Sequence, residues 1–396
     1  MTDQPTHEAF RAEAREFLNE FFPKWKESEG IADGAELARE QRRSLQRFLF
    51  DHGWGVLTWP IEFGGRGVGM VESLIWNQEK AKAGLQFTFD FVGMGLAGPT
   101  IIARGTPEQK EKYLAKIARG EEAWCQLFSE PGAGSDLGGI STRAERSGDV
   151  WIVNGQKVWS SGAMESDRGL LIARHDPDLP KQQGLVFLLL DMHAPGVEVR
   201  PLRQIDGGAH FAEVFFNDVE VPDADRVGEP GEGWSVAMTT LLHERSSIGG
   251  GIGSFAMPFE DIVHIARQTG RNDDPLVRQH LVEIFTRKKI LDVLNTRVQT
   301  ALLSGRIPEA EGSVIKLLMA QLGSVSAENA IELLGPDGML ADGTGSPQQR
   351  FLGMAALHIG GGTDEVQRNA IAERVLGLPR EPRPDKEVPF REIRRS

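Results

Sequence analysis

The segment Gln126–Asp136, Gln-Leu-Phe-Ser-Glu-Pro-Gly-Ala-Gly-Ser-Asp, is the densest chemical stretch in the 396-residue chain. An apolar run leads into a hydroxyl, an acid and a proline, and then into small residues that end at Ser135 and Asp136. Such an order brings backbone N–H groups and two hydroxyls to a surface with little side-chain bulk, against which a planar ring or a phosphate chain can lie. Taken alone it also reads as a glycine-rich connection between two domains. No G-x-G-x-x-G follows a strand and no G-x-x-x-x-G-K-[ST] occurs, so the dinucleotide and P-loop devices are absent. The nine histidines show no H-E-x-x-H spacing, and one cysteine, Cys125, excludes a disulfide framework and a cysteine-based zinc site. A second candidate is Glu244-Arg245, which follows a mostly apolar stretch from Val236 to Leu242. On residue types alone such a pair is a solvated helix face.

The elements that must position these groups follow from periodicity. Phe10, Ala14, Phe17, Leu18 and Phe21 mark one face of a helix, and Leu37, Leu45, Phe48 and Leu49 mark a second. Pro60 and the glycines at 64, 65, 67 and 69 make a loop before helical patterning resumes at 71–84 and 107–119. Thr106-Pro107-Glu108 reads as N-cap, first helical position and acidic first turn. Near residue 123 the pattern changes. Asn154-Gly155 between Trp151–Val153 and Lys157–Ser160 predicts a hairpin turn. Gly169–Arg174, Gly184–Met192, Val197–Pro201 and Glu213–Val221 read as further strands, about five in all. After Gly233 helix returns, with Leu281, Ile284, Phe285, Leu291, Leu294, Val298 and Ala301 on one side and another amphipathic segment at Ser313–Leu334. A last helix carries Asp364 and Glu365 early and Arg374 late, which suits the helix dipole. The expected fold is therefore mainly α with an inserted all-β domain: an N-terminal helical domain over 1–122, a β-barrel or sandwich over 123–231 and a helical domain over 232–396.

Composition bounds the function. Hydrophobic residues at 40% are enough to build a core. Lys+Arg 44 against Asp+Glu 57 gives a net charge of −13, which opposes nucleic acid or an anionic membrane as the main partner. The longest apolar run, Leu185–Leu190, is far short of the roughly 20 residues a membrane span needs. Without a signal-like N-terminus either, the expectation is a soluble cytoplasmic protein.

Phe128–Asp136, followed by Val153-Asn-Gly-Gln-Lys-Val-Trp159, resembles the acyl-CoA dehydrogenase flavoproteins. Pro60–Gly65, Gly105–Lys110 and Ile371–Pro379 match the same family in the same order, so the resemblance covers nearly the whole chain. It implies a C-terminal four-helix bundle, bound FAD, an acyl-CoA substrate, a tetramer built as a dimer of dimers, and electrons passed to an electron-transfer flavoprotein. By position in the motifs, Phe128 and Ser129 lie beside the flavin ring, and Trp159 and Ser161 at its other edge. The resemblance likewise implies that Thr363 and Glu365 contact the flavin's ribityl or adenine side and that Ser135 contacts the CoA moiety.

The α,β-desaturation implied by the resemblance needs a carboxylate to remove the α-proton and a donor for the thioester oxygen. Many family members carry that glutamate before Gly-Thr in a C-terminal loop. Here the loop reads Ile359-Gly360-Gly361-Gly362-Thr363, and Gly361 takes its place. The isovaleryl-CoA type puts it on a helix in a Glu-Arg pair, which Glu244-Arg245 matches. Glu244 is then the candidate base, Arg245 a substrate-side partner, and the Gly361 N–H a donor to the thioester oxygen. His243 points about 100° away on the helix and reads as structural. Two departures remain. The family's Arg-x-x-Phe-Gly is absent from residues 271–280, and Glu332–Gly338 only partly matches its Gln-x-x-Gly-Gly-x-Gly. Both resemble members that assemble two different subunits, such as those shortening steroid side chains. A flavin monooxygenase or oxidase on the same scaffold is the remaining alternative.

Overall fold

The computed structural model describes residues 7–32, 37–85, 89–251, 257–303, 311–340, 343 and 346–393. The chain divides into two compact units: Met1–Arg203 with Ala209–Gly250 and Arg383–Ser396, and Gln204–Gly208 with Gly251–Pro382.

The first unit opens with α1 (His7–Ser28), α2 (Arg39–Asp51) and α3 (Met70–Lys82). The apolar face expected for α1 is the one buried, with Phe10, Ala14, Phe17 and Leu18 packed against Trp54 and Trp76. Glu79 on α3 is a charged hub within this layer. Its carboxylate is almost wholly buried and meets Arg11 at 2.7 Å, Arg15 at 2.8 Å and Lys82 at 2.9 Å. The hydrogen bond from Arg15 is the largest influence, and together these cations hold the carboxyl down at about 2. A carboxylate depressed in the folded state stabilises above its unfolded value near 4.5, and that stability is lost as pH falls towards 2. Glu79→Gln should therefore cost about 2 kcal/mol at pH 7, less than a fully enclosed pair because Arg15 and Lys82 reach water. Urea melts at pH 7 and pH 3 check this: the deficit should shrink at the lower pH.

Two short helices follow, α4 (Gly98–Arg104) and α5 (Pro107–Ala118). The expected cap is present: the Gln109 N–H donates to Thr106 Oγ1 at 3.3 Å, and the Thr106 N–H donates to Gln109 Oε1 at 3.1 Å. A Cβ on Gly93 or Gly98 would lie 2.1 Å from the Asp90 carboxylate or 2.0 Å from the Trp59 ring, so these glycines serve close packing.

The strands are β1 (Trp124–Leu127), β2 (Arg143–Ser147), β3 (Val150–Ser161), β4 (Arg168–Arg174), β5 (Leu185–Asp191), β6 (Val197–Leu202) and β7 (Phe211–Pro222). They form one sheet in the order β1-β4-β2-β3-β7-β6, with β5 also paired to β4. The β1–β4 pair is parallel. The hairpin lies elsewhere than the sequence predicts. β2 and β3 pair from Ser147 and Val150 inward, so Gly148-Asp149 is the turn, whereas Asn154-Gly155 lies inside β3 at a register shift. Gly155 has φ +147° and a Cβ there would lie 2.6 Å from Thr142 Oγ1. The glycine is needed for a close crossing of chains, not for a reversal.

After β7 comes α6 (Gly233–Gly251), whose Val236 and Ala237 pack in one core with Trp124 and Phe128. The second unit holds α7 (Phe259–Gln268), α8 (Pro275–Leu303), α9 (Glu311–Leu334), α10 (Pro347–Gly353), α11 (Ala355–Ile359) and α12 (Asp364–Ala370). Its core joins Ile262, Val277, Ile284, Leu322 and Leu333. Phe285, expected on the buried side of α8, stays 43% exposed, because apolar residues occupy more of that helix than its neighbours cover. α12 ends at Ala370, and Arg374 falls in a following π-helical turn over Ile371–Val375. Among the described residues no helix is long and apolar enough to cross a membrane.

Candidate active site

Strand β1 sorts its side chains onto two faces. Cys125 and Leu127 enter the core that includes Val153, Val214 and Leu188, whereas Trp124 and Phe128 enter the core shared with α6. Phe128 is buried edge-on to Phe187, with ring centroids 6.0 Å apart. Ser129, half-buried, accepts a hydrogen bond on its carbonyl from the Val158 N–H at 2.9 Å. That bond sets the Phe128–Ser129 strand end directly against the stretch of β3 that carries Trp159 and Ser161.

Trp159 has φ +60°, a region that a bulky residue avoids. It sits where the β3–β7 register shifts between Lys157 and Ser160. The bulge turns the indole outwards, 56% exposed, with one edge contact to Phe211 at 5.7 Å. Ser161 is exposed beside it, and the buried Ser160 Oγ has no hydrogen-bond partner among the described residues. Backbone strain of this kind clusters at functional sites. An outward indole beside a strand end of small polar residues fits a planar ring system such as flavin.

The glycine-rich loop runs on from there. Among the described residues a Cβ at Gly132 or Gly134 would meet nothing within 4 Å, so their packing does not demand glycine at either place. Ser135 is exposed, and the adjacent Asp136 is paired with Lys181 at 3.0 Å. The loop therefore keeps open space and an exposed hydroxyl for a bound group.

Glu244 reaches the same region from α6. It is half-buried, and Gln126 Nε2 donates to its Oε2 at 3.5 Å. Gln126 lies between Trp124 and Phe128 on β1, so its side chain rises from the face on which α6 packs. One turn earlier on α6, Thr240 Oγ1 meets Thr100 Oγ1 at 3.0 Å, both residues fully buried, which pins the helix to α4. His243 is half-buried, and burial holds it below its ordinary value, keeping the ring neutral at neutral pH. Arg245 continues α6, and its side chain lies outside the described residues.

In the second unit Gly361, Thr363 and Glu365 stand together at the start of α12. Thr363 caps the helix, accepting from the Val366 N–H at 3.3 Å. Gly361 is exposed at φ +65°, and Gln367 Nε2 donates to its carbonyl at 2.8 Å. Glu365 points outwards and pairs with Arg368 at 3.2 Å. His358 and Asp364 clamp the two ends of this loop at 2.7 Å, and Ser324 meets the other ring nitrogen at 2.8 Å.

Residue reading missed the pairing of Gln126 with Glu244, the Glu130–Lys157 pair and the His358–Asp364 clamp. Gln126 alone left a trace, as the polar residue that interrupts an otherwise apolar strand.

Comparison with known proteins identifies the family. The family models described as acyl-CoA dehydrogenase N-terminal, middle and C-terminal domain match residues 4–121, 125–219 and 231–376. Acyl-CoA dehydrogenase IpdE1 of Mycobacterium tuberculosis is 42% identical over 351 residues, covering 87% of this chain and 90% of the relative. The solved Tcur3481–Tcur3483 steroid ACAD aligns with a TM-score of 0.78 at 29% identity, covering 96% of this chain and 100% of that one. The ChsE4–ChsE5 complex from Mycobacterium tuberculosis aligns with a TM-score of 0.75 at 30% identity, covering 96% and 100%.

Proposed function

The chain belongs to the acyl-CoA dehydrogenase family, and from that premise we propose that it desaturates the α,β bond of an acyl-CoA thioester with FAD as cofactor and Glu244 as base. FAD supplies, when bound, the acceptor for the β-hydride. Glu244 takes the α-proton, and Gln126 orients its carboxylate from β1. The Gly361 N–H donates to the thioester oxygen as negative charge builds there. Phe128, Ser129, Trp159 and Ser161 flank the flavin ring, and Thr363 and Glu365 its ribityl or adenine side. Ser135 meets the CoA moiety and Arg245 lies on the substrate side. The three-domain division at 1–122, 123–231 and 232–396 belongs to this reading. So do a cytoplasmic tetramer and electron transfer to an electron-transfer flavoprotein. The observation that carries the proposal is the convergence on β1: Phe128–Ser129 lies against the strained Trp159 bulge, and Gln126 of the same strand meets Glu244.

A second reading makes the chain one subunit of a heteromeric dehydrogenase. The absent Arg-x-x-Phe-Gly favours it, as do two structural relatives whose names pair different subunits. The visible spectrum of the chain purified alone separates the two. About one flavin per chain, bleached anaerobically by an acyl-CoA, is expected of a self-sufficient enzyme. Little flavin alone, restored on co-expression with a second subunit, supports the heteromer. Flavin that stays oxidised under a panel of acyl-CoA thioesters in both preparations overturns the desaturation itself. Stoichiometric oxygen uptake with a hydroxylated product would assign a monooxygenase instead.

A further inference from the structure

We propose that the buried ion pair Glu130–Lys157 is a positioning device that holds the Phe128–Ser129 strand end and the Trp159–Ser161 bulge together as two edges of one site, an inference that rests on the flavin reading above. Lys157 on β3 is wholly buried, and Glu130 nearly so. Lys157 Nζ donates to Glu130 Oε1 at 2.9 Å and to the Phe128 carbonyl at 2.9 Å. The Glu130 carboxylate also accepts from the Ser141 N–H at 2.6 Å and the Thr142 N–H at 2.9 Å. The neighbouring main chain closes the arrangement, with the Val158 N–H on the Ser129 carbonyl at 2.9 Å.

A buried pair of this kind is a poor device for stability alone, since apolar residues of similar volume often do as well. What apolar side chains cannot do is grip main-chain atoms. Lys157 holds the carbonyl of Phe128, and it is also the last paired residue before the bulge that turns Trp159 outwards. Glu130 holds the amides of residues 141 and 142, and Gly155 lacks the side chain that would keep Thr142 away. One pair of charges thus fixes the main chain at both proposed flavin edges. Burial pushes the Lys157 ammonium down to about 8 against the pull of Glu130. Burial also works to raise Glu130, but Lys157 and the amides outweigh it and hold it below the usual carboxylate range. The pair is therefore charged at neutral pH.

The test is the double variant Glu130→Gln/Lys157→Met, which removes both charges and leaves neither one buried alone. Three quantities are read: the melting temperature of the apoprotein, the FAD dissociation constant by flavin fluorescence, and the visible circular dichroism of bound flavin. The expected result is a melting temperature within a few degrees of wild type, FAD binding weakened at least tenfold and an altered flavin dichroism band. Wild-type affinity and an unchanged band overturn the inference, whatever happens to the melt. Should the double variant fail to fold, Glu130→Asp keeps both charges and shortens the reach by one methylene. It should weaken FAD binding several-fold, and wild-type affinity there overturns the inference equally. Wild-type protein that binds no FAD, alone or co-expressed, overturns the flavin reading itself and the inference with it. Tight wild-type binding matched by the variant sinks the inference alone.

Discussion

Replacing Glu244 by glutamine should slow anaerobic flavin bleaching by an acyl-CoA about a thousandfold, with flavin content and melting temperature unchanged. The amide has nearly the shape of the carboxylate. It can still meet Gln126, since either amide can present its oxygen to the other's N–H. Packing around α6 depends on Val236, Ala237 and the Thr100–Thr240 bond, none of which the change touches. The capacity to accept a proton is lost with the charge, and general-base catalysis is commonly worth two to four orders of magnitude. Gln126→Leu tests the same geometry from the other side. It keeps the base but removes a donor to it, so it should slow bleaching by less and shift the pH profile of the rate. Unchanged bleaching by the Glu244→Gln protein would place the base elsewhere. The loop at Gly361 offers no carboxylate at the family's other position, so the reaction itself would then need revision.

The gap between what residues announce and what they build is instructive here. Helices read from periodicity survive because their signal is local: the apolar face of α1 and the Thr106 cap each involve residues a few positions apart. The Asn154-Gly155 turn fails because the pair is equally suited to a bulge, and only the approach of Thr142 decides between them. Candidate residues came from motif position, which marks where a group sits along the chain. Their partners did not follow from it. Lys157 finds Glu130 across 27 residues, and Gln126 finds Glu244 across 118. Neither separation leaves a periodic trace. A lysine reads as a solvent-facing residue by its type, whereas alternation from the buried Trp151 and Val153 puts position 157 on the core face opposite Val214. The polar network of the candidate site therefore leaves no signal in the sequence, although the motifs carry most of the groups that it meets.

The strained Trp159 carries the second large expectation, because there stability and function should separate. Trp159→Gly ought to cost less folding stability than truncating a fully packed tryptophan, which usually costs about 3–5 kcal/mol. Backbone relief offsets part of the loss. Relief of the left-handed backbone returns about 1–2 kcal/mol. Greater freedom of the unfolded glycine chain removes about 0.5–1 kcal/mol. Loss of the edge contact with Phe211 removes about 0.5–1.5 kcal/mol. The indole is 56% exposed, so the burial at stake is less than half that of a fully packed tryptophan. Binding should behave differently. An aromatic ring stacked on a heteroaromatic partner is worth about 1–3 kcal/mol, and about 2 kcal/mol corresponds to roughly thirtyfold weaker FAD binding. Trp159→Phe keeps a ring and the strain together, so it should bind FAD better than the glycine variant. Thermal melts of the apoproteins and flavin titrations decide the matter. A large loss of stability with wild-type FAD affinity would make Trp159 an ordinary packing residue of the sheet. The opposite pattern would mean that the fold tolerates a strained backbone at this position for the sake of what the ring binds.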